Sequence, residues 1–186
     1  MSHMHAELWV PKLEKDLDSQ VEELLAPLSQ DECKYDKDGE PLNDAYGLFD
    51  WYQIGGRWVN AHDPSYNPEK DPKNLEKCRY CKGTGIAETR GMFELKRIAK
   101  AITGKRHKPK ACEQCKGTKK SAKWPTQWVT PDFVAIPVSK LDPKLTAYCV
   151  IINGDVVDDG DEVNVAKSLE LNEVKGGFLI TIDYHS

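Results

Sequence analysis

Two short stretches of the chain repeat one another: Cys78-Arg-Tyr-Cys81-Lys-Gly83-Thr-Gly85 and Cys112-Glu-Gln-Cys115-Lys-Gly117-Thr-Lys119. A two-residue gap lets both thiolates of a pair reach one ion at about 2.3 Å, and the glycines permit the tight turn that aims backbone amides at the sulfurs. Two such pairs make a tetrahedral four-sulfur site, which leaves no position for water and is structural by default. Cys78, Cys81, Cys112 and Cys115 are therefore expected to bind one structural zinc ion. Thioredoxin-type redox chemistry wants a single pair at a strand-to-helix junction, which a duplicated pattern does not match. Cys33, alone in an acidic loop, and Cys149, inside an apolar run, read as free thiols without a role. His107, near the second pair, offers a substitute ligand but reads first as a solvated residue of a basic loop.

The cysteine pairs bracket a break in the apolar pattern. The 186 residues are 39% hydrophobic and 30% charged, enough for one domain of roughly 130 residues plus something small. No window of about 18 apolar residues exists, and the start lacks a basic-then-apolar signal, so neither membrane spanning nor secretion is expected and the protein reads as cytoplasmic. Thiols stay reduced there, which favours metal over disulfides. The opening Met1-Ser2-His3-Met4 looks like a vector remnant, which sets His3 aside.

Glu7 to Leu13 suits a first strand, and Glu14 to Ala26 places Leu17, Val21, Leu24 and Leu25 at helical spacing before Pro27. Residues 29–46 are acidic and rich in turn formers, and Phe49 to Ile54 suits a second strand ending at Gly55-Gly56. The pattern resumes near Trp124. Phe133 to Val138 reads as an edge strand because of Pro137, Thr146 to Ile152 is strongly β-prone, and Asn153-Gly154 signals a hairpin. Gly177 to Tyr184 closes the chain, with Phe178, Ile180, Ile182 and Tyr184 alternating. The expected fold is α+β: a mostly antiparallel sheet with one or two helices at 5–71 and 124–186, interrupted by a zinc-binding subdomain at 72–123.

The formal net charge of −4 hides an asymmetry. Residues 1–94 carry 11 Lys/Arg against 19 Asp/Glu, and 124–186 carry 4 against 10, whereas 95–123 carry 11 against Glu113 alone. Met92, Phe93, Leu95, Ile98, Ala99 and Ile102 fit an amphipathic helix whose polar face holds Lys96, Arg97 and Lys100. Lys105, Arg106, Lys108 and Lys110 follow as a basic loop, and Lys116, Lys119, Lys120 and Lys123 extend the patch. A charge run is commonly just a solvated face. A basic element held by zinc is also a recurrent grip on phosphate backbones, and lysine-dominated contacts give affinity without base reading.

Trp51, Tyr52 and Trp58 surround Gly55-Gly56-Arg57. In one reading they are a core cluster on a hairpin, with Arg57 stacked on an indole and paired with an acid such as Asp50. In the other they form a ligand surface with Arg57 as the forked donor, and with Asp50, His62 and Asp63 as polar partners. No nucleophile paired with a base and no phosphate-binding glycine loop is visible, so an enzymatic role has no support.

The cysteine units resemble the C-x-x-C-x-G-x-G repeats in the cysteine-rich domain of J-domain chaperones. That likeness covers the knuckles only and implies zinc binding by Cys78, Cys81, Cys112 and Cys115. Leu25-Ala-Pro-Leu-Ser-Gln30 followed by Phe49-Asp-Trp-Tyr-Gln-Ile-Gly-Gly-Arg-Trp58 and then zinc knuckles resembles a group of small uncharacterised tailed-bacteriophage proteins with an Asp-Trp-Tyr-x-Ile-Gly-Gly-Arg-Trp motif. This implies a phage protein acting in the cytoplasm of an infected bacterium. The expected role is a zinc-binding accessory protein that engages nucleic acid, or a host complex bound to it, through the basic arm. The alternative is a modulator of a host protein that acts without nucleic acid.

Overall fold

In this computed structural model, residues 2–32, 34, 37–38, 47–87 and 110–186 are described. The chain forms two compact units: Met1–Tyr66 together with Thr130–Ser186, and Asn67–Val129. The division falls at 66/67 and 129/130, wider than the expected 72–123, because the flanks of the second unit are bound into it. Asn74, fully buried, accepts the Val129 amide on its side chain at 2.7 Å and the Lys123 amide on its backbone carbonyl at 2.8 Å. The Trp128 indole donates to the Lys123 carbonyl.

The first unit is an α+β fold. Its strands are β1 (His3–Val10), β2 (Trp51–Ile54), β5 (Ala135–Pro137), β6 (Thr146–Ile152), β7 (Asp155–Asn164) and β8 (Phe178–His185), and its helices are α1 (Leu17–Leu25) and α2 (Val165–Leu171). The second unit contributes β3 (Leu75–Lys77) and β4 (Lys120–Ala122), an antiparallel pair. The larger sheet runs β2-β8-β1-β6-β7. On its far edge β8 pairs β2 through its C-terminal half and β5 through its N-terminal half. All pairings in it are antiparallel except β1 with β6.

The first strand occupies His3–Val10, not Glu7 to Leu13, because all eight of its residues pair with β8, from His3 opposite His185 to Val10 opposite Phe178. His3 therefore takes part in the sheet, so setting it aside left out one end of the strand. Alternation then sorts the strand: Ala6, Leu8 and Val10 are fully buried in the core under α1, while His3, His5, Glu7 and Trp9 face the other way. Helix α1 starts where Asp16 accepts the Ser19 amide and stops before Pro27, burying Val21 and Leu25. The Asn153-Gly154 signal holds: both residues have positive φ, 53° and 91°, and join β6 to β7. The run Phe133 to Val138 is split, since Asp132–Val134 form a 3-10 turn and only Ala135–Pro137 pair with β8. Pro137 sits on that edge strand, where its missing donor is tolerated. The short helix α2, capped by Asn164 accepting the Lys167 amide, covers Leu179, Val150 and Ala147 with its own Val165 and Leu169.

Candidate functional site

In the second unit the two knuckles have the same backbone path. Lys82 and Gly83 have φ of 50° and 78°, and Lys116 and Gly117 have 47° and 87°. Thr84 and Thr118 each turn the hydroxyl back to the carbonyl of the preceding cysteine, Cys81 and Cys115, at 2.7 and 2.6 Å. The Cys78 amide donates to the Lys119 carbonyl and the Cys112 amide to the Gly85 carbonyl, so the start of each knuckle is tied to the end of the other. Gly85 must be glycine here: its φ is 79°, and a Cβ would stand 2.9 Å from the Gly117 carbonyl oxygen.

The result is a buried cluster of Cys78, Cys81, Cys112 and Cys115 whose sulfurs all lie within 4.8 Å of one another. Cys78 Sγ is 3.9 Å from Cys112 Sγ, and Cys81 Sγ is 3.7 Å from Cys115 Sγ. Four sulfurs bound tetrahedrally at 2.3 Å stand about 3.8 Å apart, so the geometry fits a metal ion. Burial works against ionising Cys81, but the Gly85 amide at 3.3 Å from its sulfur, the neighbouring thiols and the Gly83 amide outweigh it and bring the thiol down to about 6, whereas at Cys112 the Cys115 amide is outweighed by burial and the thiols of Cys115 and Cys78 and the thiol is pushed up. A thiolate is the form that binds metal. Cys149 is the opposite case, its thiol pushed up to about 12 by burial and then by Asp159 and Asp158. Cys33 and His107 lie outside the described residues.

Of the basic patch, Lys110, Lys119 and Lys120 are described and exposed, as are Lys116 beside them and Lys77, Arg79 and Lys82 at the first knuckle. Lys96, Arg97, Lys100, Lys105, Arg106 and Lys108, with the expected helix from Met92 to Ile102, lie outside the described residues.

The aromatic motif belongs to the first unit, and there it is not a buried core cluster. Trp51 and Trp58 are each 37% exposed, too open for the buried-core reading. Trp58 stacks on His5 with ring centroids 5.2 Å apart and planes 14° off parallel, while Trp51 meets His3 edge-on at 5.7 Å. Tyr52 points to the other face against Phe49. Asp50 pairs with His185 at 2.6 Å rather than with Arg57. Arg57 contributes its backbone: its amide donates to Asp183 Oδ2 at 2.8 Å.

What the motif builds is a histidine-carboxylate face that the sequence reading missed. Glu7 is fully buried, its Oε1 accepting from His5 Nε2 at 2.7 Å and Thr181 Oγ1 at 3.0 Å. His62 Nε2 faces Glu7 Oε2 at 3.2 Å as an ion pair. Asp183, also fully buried, accepts from His3 Nδ1 at 2.8 Å. The signal was present as polar residues at alternate positions of two otherwise apolar strands: His3, His5 and Glu7, then Thr181, Asp183 and His185.

Burial is the largest single influence on Glu7 and pushes its carboxyl up, yet His5 and then His62, through contact and charge, hold it at about 2 instead of 4.5. A carboxyl lowered on folding stabilises the fold fully above its unfolded value, and that contribution fades as pH falls through the folded one. Glu7 is thus expected to add about 3 kcal/mol that disappears between about pH 4.5 and 2. Urea melts across that range check it: the acid limb of Glu7→Gln should be flatter than that of the wild type, and superimposable limbs would exclude the role.

No protein-family model, no curated protein and no solved structure matches this chain. Among the described residues no helix is long and apolar enough to cross a membrane.

Proposed function

We propose that this is a phage-encoded accessory protein whose four cysteines hold one structural zinc ion, and whose zinc-centred unit binds nucleic acid in the cytoplasm of an infected bacterium. The observation that carries this reading is the way charge follows the division of the fold. Asn67–Val129 holds 17 Lys/Arg against 6 Asp/Glu, and the remainder of the chain holds 9 against 24. An acidic body repels phosphate, so contact falls to the basic unit, where the metal supplies the rigidity that so short a segment lacks. Two aromatics support single strands as the target: Tyr80 is 74% exposed between Arg79 and Lys82, and Trp124 is 61% exposed beside Lys123. Exposed rings among lysines stack on unpaired bases of any sequence.

Binding to single-stranded DNA and RNA should weaken with salt, with a log-log slope of about −0.7 per phosphate contact. Replacing Lys105, Arg106, Lys108 and Lys110 with alanine should flatten that slope by up to about 3 units, and Trp124→Ala should weaken binding at least about fivefold. If the metal-loaded wild type is not retained on either nucleic acid at low salt, the reading fails, and a contact with an acidic host protein takes its place.

A further inference from the structure

The face of the sheet turned away from α1 carries polar side chains in rows across three strands. His3, His185 and Trp51 form the first row, His5, Asp183 and Gln53 the second, and Glu7 with Thr181 the third. The segment after β2 returns to this face. The Gly55 amide bonds the Thr181 carbonyl, the Arg57 amide bonds Asp183, Trp58 stacks on His5, and His62 reaches Glu7. Of the five histidines in the chain, four stand against carboxylates: His3 on Asp183, His5 and His62 on Glu7, and His185 on Asp50.

Packing alone does not account for this face. Buried charge is weak evidence of stability, since apolar side chains of similar volume usually serve as well or better. Nor is the hydrogen bonding complete: Glu7 Oε2, His62 Nε2 and Gln53 Oε1 are all buried without a hydrogen-bond partner. A buried polar atom without a hydrogen bond has lost its hydration and gained little in return. The separation of the first two is informative. Two donors bound to one ion at about 2.1 Å, at tetrahedral to octahedral angles, stand about 3.0–3.4 Å apart, and Glu7 Oε2 and His62 Nε2 are 3.2 Å apart. An anion would meet two buried carboxylates here, whereas imidazole nitrogen with carboxylate and amide oxygen is a donor set for a divalent transition metal.

We propose that Glu7 Oε2 and His62 Nε2 bind a divalent transition-metal ion of the zinc class, with Gln53 Oε1 in the adjoining row as a further oxygen donor. His5 and Thr181 hold the other oxygen of Glu7 and fix the direction of the carboxylate, the part outer partners play around metal ligands. So few protein donors leave coordination positions unfilled by the protein, unlike the closed cysteine site. Among the described residues, only the cysteines bring three or more His, Cys, Asp or Glu ligand atoms within 4.8 Å of one another. The second site is accordingly the weaker one and fills after them.

Equilibrium dialysis of the folded protein against excess zinc tests this directly. Wild type should take about two ions per chain, and His62→Ala, Glu7→Gln and Cys112→Ser about one each. Cobalt identifies the sites, because only the cysteine-bound ion gives thiolate charge-transfer absorption. The second equivalent should add weak visible bands without that absorption, in the wild type and not in His62→Ala. His5→Ala should weaken the second site about 10–100-fold and leave the first unchanged. A wild-type protein that saturates at about one ion, all of it showing thiolate absorption, overturns the proposal whatever the variants do.

Discussion

Cys112→Ser, or a chelator, is expected to unfold Asn67–Val129 while the six-stranded sheet stays intact. The reason is what this unit buries. Among its described residues the buried hydrophobic side chains are the four cysteines and no others, so the metal site takes the place of a core. Binding a structural zinc ion contributes about 10–16 kcal/mol of apparent free energy at neutral pH, and in a unit of this kind that is folding free energy. The sheet has its own two apolar clusters, to which no described residue of Asn67–Val129 contributes. Limited proteolysis should therefore cut the variant within 67–129 and spare the strands, with metal content falling in parallel. Unchanged protease resistance in a metal-free protein would refute both the site and its structural role.

Gly56→Ala should be among the most damaging small changes in the first unit. Gly56 has a φ of 48°, and an added Cβ would collide with the Asp183 side chain, standing 2.8 Å from its Cγ. Asp183 has no room to retreat, since it is fully buried and holds His3 and the Arg57 amide. The left-handed backbone costs a non-glycine residue about 1–2 kcal/mol, and forcing atoms into a filled site about 1–3 kcal/mol more. Gly176→Ala separates the two effects, because Gly176 also has a positive φ, 75°, with nothing within 4 Å of its added Cβ. In urea titrations of metal-loaded protein, Gly56→Ala should lose clearly more stability than Gly176→Ala. Equal losses would mean that Asp183 yields freely and that the face beneath the motif is not tightly built.

The parts of this molecule legible in its sequence are those written in neighbouring residues. The cysteine knuckles, the Asn153-Gly154 turn and the run from Thr146 to Ile152 each carry their geometry within a few positions. The histidine-carboxylate face does not. Its members come from residues 3–7, 50–62 and 181–185, and only sheet register brings them together. Taking His3 for a vector remnant removed one end of that register. Ile180, Ile182 and Tyr184 drew attention to the apolar face of β8, while Thr181, Asp183 and His185 carried the polar one. The Asp50–Trp58 motif was read by its rings and its guanidinium, but much of its work is done by a carboxylate, the backbone amides of Gly55 and Arg57, and the empty space at Gly56. Helix α2 passed unnoticed because its seven residues are too few for a periodic signal.

The pairing of β1 with β8 also has a consequence in time. His3 lies opposite His185 and Val10 opposite Phe178, so the first strand waits for partners almost the whole chain away. The entropy of closing so long a loop grows only logarithmically and adds little to the final balance. Its weight falls on the rate, since contacts between distant residues form late. A ribosome making this chain releases all four cysteines well before β8 exists. The basic unit can therefore take up its metal and acquire its shape while Ala6, Leu8 and Val10 still lack their pairing partners on β8, and the face that holds Glu7 comes into being only when residues 181–185 arrive.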